Sequence, residues 1–411
     1  MEMSMIATTA LYTKLLSKKK LSICMISDDF LPAMTGVGVH LKLIAPALAR
    51  RGHQVSVITT RRKGEAAIEH WEGVTIYRVF TVKMYGFYQA LPTSGKIREI
   101  FNHVNPDLIH HHYAGFMMGI VCKVAEELQI RQVSTYHFTA EVLTQPLPLR
   151  PLRGLIRRLM VGYNNRFDLV MAPSQVLAKQ IKTEGVKSNI QYITNPVVFQ
   201  SNEKVVPAVR NAGFTILFAG RLGQEKNIGY LLKSFADLLK KKPDANLWIA
   251  GRGPEEKKLK DICEELKITQ QVKFLGFLDH PTLAKYYAAC DIFVLPSLLE
   301  TQGLVAMEAM WFGKPIIVTN KIVSATELVE QGVNGYIVDA SSVADLTMRM
   351  ETLADNPELR EKMGIAGLNR TKDYQPELVV KAIEESYTNV LNLGNKTHHF
   401  KELPHSEYQL I

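Results

Sequence analysis

The run from Cys290 to Thr319 constrains this chain of 411 residues more than any other. Ile292 to Leu295 is a short apolar stretch closed by Pro296 and Ser297, as a buried strand would be. A loop with Glu300 and Gly303 follows, then an apolar helix carrying Glu308, Ala309 and Met310. Gly313, Lys314 and Pro315 stop that helix, and Ile316 to Thr319 begins the next strand. The pattern predicts a βαβ unit. The first amides of a helix that follows such a strand are unpaired and lie at its positive end, so they attract anions. A phosphate would sit at Thr301, Gln302, Gly303 and Leu304. Glu300 and Glu308 flank that point and suit hydroxyl groups, on a sugar and on a ribose. Those parts add up to a nucleotide-diphosphate sugar. The same spacing also fits an ordinary Rossmann-like helix whose Glu308 is solvated or salt-bridged.

The length predicts two domains. With 46% hydrophobic and 22% charged residues the chain is globular and not disordered. No apolar run approaches the ~20 residues of a membrane span. Met1 to Lys20 carries Lys18, Lys19 and Lys20 after its apolar part, the reverse of a secretory signal. A flexible leader on a cytoplasmic protein is expected. Cys24, Cys122, Cys263 and Cys290 fall in expected strands or helices without Cys-x-x-Cys spacing, which predicts buried free thiols. Residues 1–200 hold 24 Lys+Arg against 13 Asp+Glu, a net of +11, and the remaining residues bring the total back to +9. The basic half suits nucleic acid or an anionic membrane surface. The aromatic residues that single-strand binding would need are missing around its arginine cluster, which argues against nucleic acid.

The first half alternates strands and helices. Leu21 to Ile26 is a strand. A turn containing Gly36 and Gly38 leads into a helix from Val39 to Arg51 that ends at Gly52, and Val55 to Thr59 is the next strand. Trp71 to Phe80 reads as a single strand. Asp107 to His110 is another, running into His111 and His112. Adjacent strand residues point to opposite faces, so the three histidines cannot share one metal ion, and no metal site is expected. Gln132 to Thr135 ends at Tyr136, His137 and Phe138, at the end of a parallel strand where such sheets bind ligands. Leu147 to Met160 interleaves Arg150, Arg153, Arg157 and Arg158 with Leu152, Leu155, Ile156 and Leu159. On a helix starting near Pro151, Arg153 and Arg157 fall on one side and the apolar residues on the other. Such a helix lies in a membrane interface or packs on its own domain. Residues 201–212 are polar and read as a linker.

Phe214 to Ala219 opens the second half as an apolar strand. In the turn after it, Gly220 allows close backbone approach, Arg221 can fork to two phosphate oxygens, and Lys226 offers a point charge. Further strands are expected at Asn246 to Ala250 and at Val272 to Leu275, the latter followed by Gly276 and Phe277. Pro376 to Leu391 is a last helix, before a polar tail from Asn395.

Glu300 and Glu308, with Glu308-Ala309-Met310 and Gly313-Lys314-Pro315, resemble the Glu-x7-Glu signature of retaining family-four glycosyltransferases of the GT-B fold. The resemblance runs from about Ser22 to Tyr387. It implies an α/β chain of two Rossmann-like, doubly wound domains facing across a cleft. The boundaries expected are a leader at 1–20, an acceptor domain at 21–200 and a nucleotide-sugar domain at 201–375. A helix at 376–394 would cross back to the first domain, with a tail at 395–411.

The resemblance further implies that the Gly36 and Gly38 turn meets the donor phosphate or the acceptor. Here Thr35 stands where the family has a second adjacent glycine. Arg221 and Lys226 match the family's Gly-Arg…Glu-Lys-Asn motif, whose cations hold the donor diphosphate. Phe277 marks the strand end that meets the base, Glu308 takes the ribose, and His137 and Glu300 contact the donor sugar as the catalytic pair. The donor would be a hexose on a nucleoside diphosphate, UDP first with guanosine left open as the base, and no cofactor or metal would be needed. Glu300-Thr301-Gln302-Gly303-Leu304 replaces the commoner Glu-Gly-Phe-Gly loop and is similar to bacterial enzymes that glycosylate diacylglycerol. The expected partners are therefore a nucleotide sugar and an acceptor lipid or saccharide, with residues 150–160 touching an anionic membrane from its cytoplasmic face. A soluble or polysaccharide-precursor acceptor, and a non-catalytic nucleotide-binding module, remain open on the sequence.

Overall fold

The computed structural model describes residues 20–32, 35–84, 87–113, 115–144, 147–197, 205–208 and 212–392. The expected leader and polar tail lie outside the described residues, as does most of the expected linker.

Among the described residues, two large sheets organise the molecule. The first has eight strands in the order Asn189–Tyr192, Leu169–Ala172, Arg131–Thr135, Leu108–Tyr113, Ser22–Ser27, Gln54–Thr60, Val74–Val79 and Ile68–Trp71. All its pairs are parallel except the last. The second has six parallel strands in the order Val272–Gly276, Asn246–Ala250, Thr215–Ala219, Ile292–Leu295, Ile316–Thr319 and Gly335–Val338. Strands such as Thr215–Ala219 are buried along their whole length, because helices cover both faces of a parallel sheet. Along Ser22–Ser27, Ile23 and Met25 join one apolar cluster while Cys24 and Ile26 join another on the opposite face. The four cysteines are free and buried.

Strand order reverses beside Ser22–Ser27 in the first sheet and beside Thr215–Ala219 in the second. Ligands of open α/β sheets bind outside the carboxyl ends of the strands at such points. The turn to Gly36, the turn at Gly220 and Arg221, and the loop to Glu300 all leave the sheets there.

The helix Pro376–Asn392 packs on the first sheet, burying Val379, Val380, Ile383, Tyr387 and Val390 in that sheet's core. Glu384 on this helix accepts hydrogen bonds from Arg51 Nε at 2.8 Å and lies 2.9 Å from His53 Nε2.

Three local features differ from the sequence reading. The expected strand Trp71 to Phe80 is a hairpin, Ile68–Trp71 against Val74–Val79, because Glu72 and Gly73 both take positive φ (46° and 82°). Thr81–Met84 and Phe87–Ala90 form a second hairpin. The basic helix starts at Arg153, after a 3-10 turn over Leu147–Leu152. Leu152 at the end of that turn and Leu155 and Leu159 on the helix are exposed, while Met160 and Val161 face the domain. Among the described residues no helix is long and apolar enough to cross a membrane.

Candidate functional site

Gly303 takes a left-handed conformation (φ 74°, ψ 53°) and caps the helix Leu304–Trp311 without a side chain of its own to bond the first amides. A Cβ at 303 would lie 3.0 Å from Leu295 Cδ2, so glycine suits both the space and the backbone there. The expected anion position at 301–304 is thus an uncapped helix start facing the first sheet.

Glu300 forms an ion pair with Lys226. The backbone brings them together: Leu298 N donates to Glu225 O at 2.8 Å. Arg221 sits in the same turn, over half exposed, with a guanidinium nitrogen 3.6 Å from Glu225. Both cations expected to hold a diphosphate are therefore paired with glutamates, Lys226 inside the cleft and Arg221 at its rim.

Glu308 is buried on the helix. Its Oε1 lies 3.1 Å from His280 Nε2 and its Oε2 2.9 Å from the Tyr287 hydroxyl. Carboxylate lone pairs beyond these two contacts remain to accept from a ligand. Phe277 is 55% exposed just past the strand Val272–Gly276, in the open for stacking.

The first sheet meets this loop directly. Thr301 Oγ1 donates to His137 O at 3.0 Å. A Cβ on Gly36 would touch Leu304 Cδ1 at 3.7 Å, so the first helix also starts against the loop. Gly38 is not free for a ligand: its amide donates to Thr35 Oγ1 at 3.1 Å, and Thr35 caps the helix Gly36–Arg50. That cap is what threonine provides in place of a second adjacent glycine.

Gln302 departs from the expected donor contact. Its side chain is buried and turned to the first domain. Nε2 donates to Pro173 O at 2.9 Å and to Thr194 Oγ1 at 2.8 Å, and Oε1 accepts from Asn195 Nδ2 at 2.6 Å. It clasps the two domains, and only its backbone is left for a donor. Glu327 makes a second clasp, accepting from Gln175 N at 2.9 Å and Val176 N at 2.5 Å at the start of the helix Gln175–Thr183.

His137 lies among other histidines. His112 Nδ1 is 3.1 Å from His137 Nε2, and His40 packs edge-on to His137 with ring centroids 4.9 Å apart. His110 is bonded to the Tyr387 hydroxyl at 2.6 Å and to Thr135 Oγ1 at 2.8 Å. His111 points to the other face, stacks on Phe167 and meets Gln132 at 2.9 Å. The alternation along the strand therefore holds. The expectation of no metal site is nevertheless incomplete: His40, His112 and His137, from three different elements, offer ligand atoms all within 4.8 Å of one another. Only one of them belongs to the consecutive run, and sequence could not show that they converge. Burial lowers His40 to about 3, with Asn195 nearby opposing the fall. Burial, then the neighbouring histidines, holds His110, His112 and His137 well below the usual range. On the same sheet, burial raises Asp28 to about 8 despite the Ala90 amide it accepts at 3.0 Å.

Comparison with known proteins agrees with this arrangement. The model "Glycosyltransferase Family 4" matches residues 34–200, and "Glycosyl transferases group 1" matches residues 200–370. The alpha-monoglucosyldiacylglycerol synthase of Streptococcus pneumoniae (strain ATCC BAA-255 / R6) is 28% identical over 359 residues, 80% of each chain. That of Acholeplasma laidlawii is 25% identical over 397 residues, 90% of this chain and 97% of the relative. Among solved structures, the sucrose-phosphate synthase of Thermosynechococcus elongatus superposes with TM-score 0.75 at 19% identity, over 90% of this chain and 99% of that one. The chain belongs to the group 1 glycosyltransferases and has their GT-B architecture of two Rossmann-like domains.

Proposed function

We propose that this glycosyltransferase moves a hexose, with retention, from a UDP-sugar to a membrane glycerolipid. The tie from Thr301 to His137 carries the reading, because it brings the acidic loop and the cleft histidine to one place. Two similar proteins are named for glucosylated diacylglycerol, which supports glucose as the sugar and a lipid as the acceptor.

In this reading the diphosphate lies on the amides at 303–304 beside Lys226, with Arg221 folding in from the rim. These groups stabilise the negative charge that grows on the departing phosphate as the anomeric C–O bond breaks. Glu300 holds a sugar hydroxyl once Lys226 turns to phosphate, and Glu308 receives the ribose. His137 borders the sugar from the first domain. The acceptor oxygen bonds to the anomeric carbon on the face the phosphate leaves, and its proton passes to a phosphate oxygen. Cationic side chains neutralise the leaving group, so added divalent metal is not required.

The exposed Leu152, Leu155 and Leu159, flanked by Arg153 and Arg158, support peripheral contact with an anionic membrane. The test is to supply nucleotide sugars to the purified protein with vesicles of anionic lipid and diacylglycerol, with and without chelator. Consumption of UDP-glucose and an α-glucosylated lipid are expected, unaffected by chelator. Consumption only with soluble saccharides would overturn the lipid acceptor, and complete loss on chelation would overturn the metal-free chemistry.

A further inference from the structure

We propose that His40, His112 and His137 form a binding site for a borderline-soft divalent cation of the Zn2+ class, at the floor of the cleft. Three observations converge. The three rings present ligand atoms within 4.8 Å of one another, and all three residues are buried. A tetrahedral zinc site with N ligands at ~2.0–2.1 Å places its nitrogens about 3.3 Å apart. His112 and His137 already stand at 3.1 Å, in a hydrogen bond that a shift of tautomer would exchange for two metal bonds, and the ligand atom of His40 lies within 4.8 Å of both. Finally, among the described residues neither ring nitrogen of His40 nor Nε2 of His112 has a hydrogen bond within 3.5 Å, Asn195 standing beside His40 at longer range. A neutral imidazole has one N–H and one lone pair, and leaving both buried and unbonded is unfavourable.

The chemistry of the set selects the ion. A neutral imidazole is a ligand as it stands, through the lone pair of its unprotonated ring nitrogen. The set contains no carboxylate, which disfavours Mg2+ and Ca2+, both of which prefer oxygen ligands. Three imidazoles leave one position for water.

His137 is also the residue that borders the donor sugar in the function proposed above. On that reading, a cation held there competes with the donor. The cation is an inhibitor and not a cofactor.

The experiment uses the full-length protein, stripped with chelator and desalted. Titration with Co2+, followed by its visible ligand-field absorption, should saturate at one equivalent per chain with a tetrahedral band. Zn2+ should displace it and Mg2+ should not. His40→Gln and His137→Ala should each weaken binding by roughly tenfold or more. His111→Gln, on the opposite face of the strand, should bind as the parent does. Metal-free melting temperatures identify any variant that fails to fold. No saturable cobalt band in the parent, or unchanged affinity in both His40→Gln and His137→Ala, would overturn the site. A second arm measures the apparent KM for UDP-glucose with and without Zn2+. A rise of several-fold in the parent, absent in His40→Gln, supports the site's place at the donor pocket. Direct binding with an unmoved KM would overturn the role assigned to His137 in transfer while leaving the cation site standing.

Discussion

Lys226 and Glu300, 74 residues apart, hold each other's charge in a largely buried ion pair at the mouth of the acidic loop. The pair keeps a cation inside the cleft that would otherwise be costly to leave there unpaired. It also sets a choice, since a diphosphate and Glu300 want the same ammonium.

Two substitutions therefore separate in their effects. Lys226→Ala should lower turnover by roughly a hundredfold or more and weaken UDP binding, since it removes charge from the leaving group. Glu300→Gln should also lower turnover but leave UDP binding equal or tighter, because the ammonium is released. Turnover and UDP affinity measured on both variants check this. Equal loss of UDP affinity in the two would show that Glu300 does not mask Lys226.

Gln302 makes three hydrogen bonds across the two domains. Gln302→Ala leaves the Asn195 amide and the Thr194 hydroxyl buried without it. A loss of about 1–3 kcal/mol is expected in denaturant unfolding. A change within about 0.5 kcal/mol would mean that the clasp is not formed in solution.

Leu155 and Leu159 are 54% and 51% exposed. Leu155→Ser with Leu159→Ser should leave stability within about 0.5 kcal/mol. Sedimentation with anionic vesicles should drop sharply. Undiminished sedimentation would refute membrane contact through this helix.

Acid should destabilise the metal-free protein from near neutrality. His40 titrates at about 3 when folded against an ordinary 6.5, and His111 at about 4, burial being the main cause for both. As pH falls below about 6.5 the unfolded chain takes protons that the folded chain refuses. The stability present above that pH is lost, by about 1.4 kcal/mol per pH unit for each such group. Asp28 runs the other way. Raised to about 8, it keeps a proton between about pH 4 and 8 that the unfolded chain has lost, so from pH 7.5 to 5.5 it offsets roughly what two such histidines contribute. Several histidines outweigh it. Melting temperature at pH 5.5 should fall clearly below that at pH 7.5, and an unchanged value would contradict the burial of the cluster.

Both sheets could be read from the sequence because parallel strands are short apolar runs between turn residues, as at Ile292–Leu295 and Thr215–Ala219. The loop that carries Glu300 and the helix that carries Glu308 were legible for the same reason. Positions decided by the opposite domain were not. Gln302 in an anion-binding loop reads as a donor contact, and only the approach of Thr194 and Asn195 turns it into a clasp. Gly38 reads as an open amide until Thr35 caps the helix. Arg221 is named by its motif, but its exposure depends on Glu225 beside it. The meeting of His40, His112 and His137 needs three elements folded together, and no local period announces it.

The helix Pro376–Asn392 fills the core of the sheet that begins at Ser22. Tyr387 reaches the imidazole of His110 across 277 positions of sequence. Until that helix has been synthesised, the apolar face it buries on the opening lobe has no such cover. The closing lobe, whose own core holds no part of that helix, can complete itself first. A returning segment of this kind favours closing the carboxy-terminal unit before the amino-terminal one, against the usual order of vectorial folding.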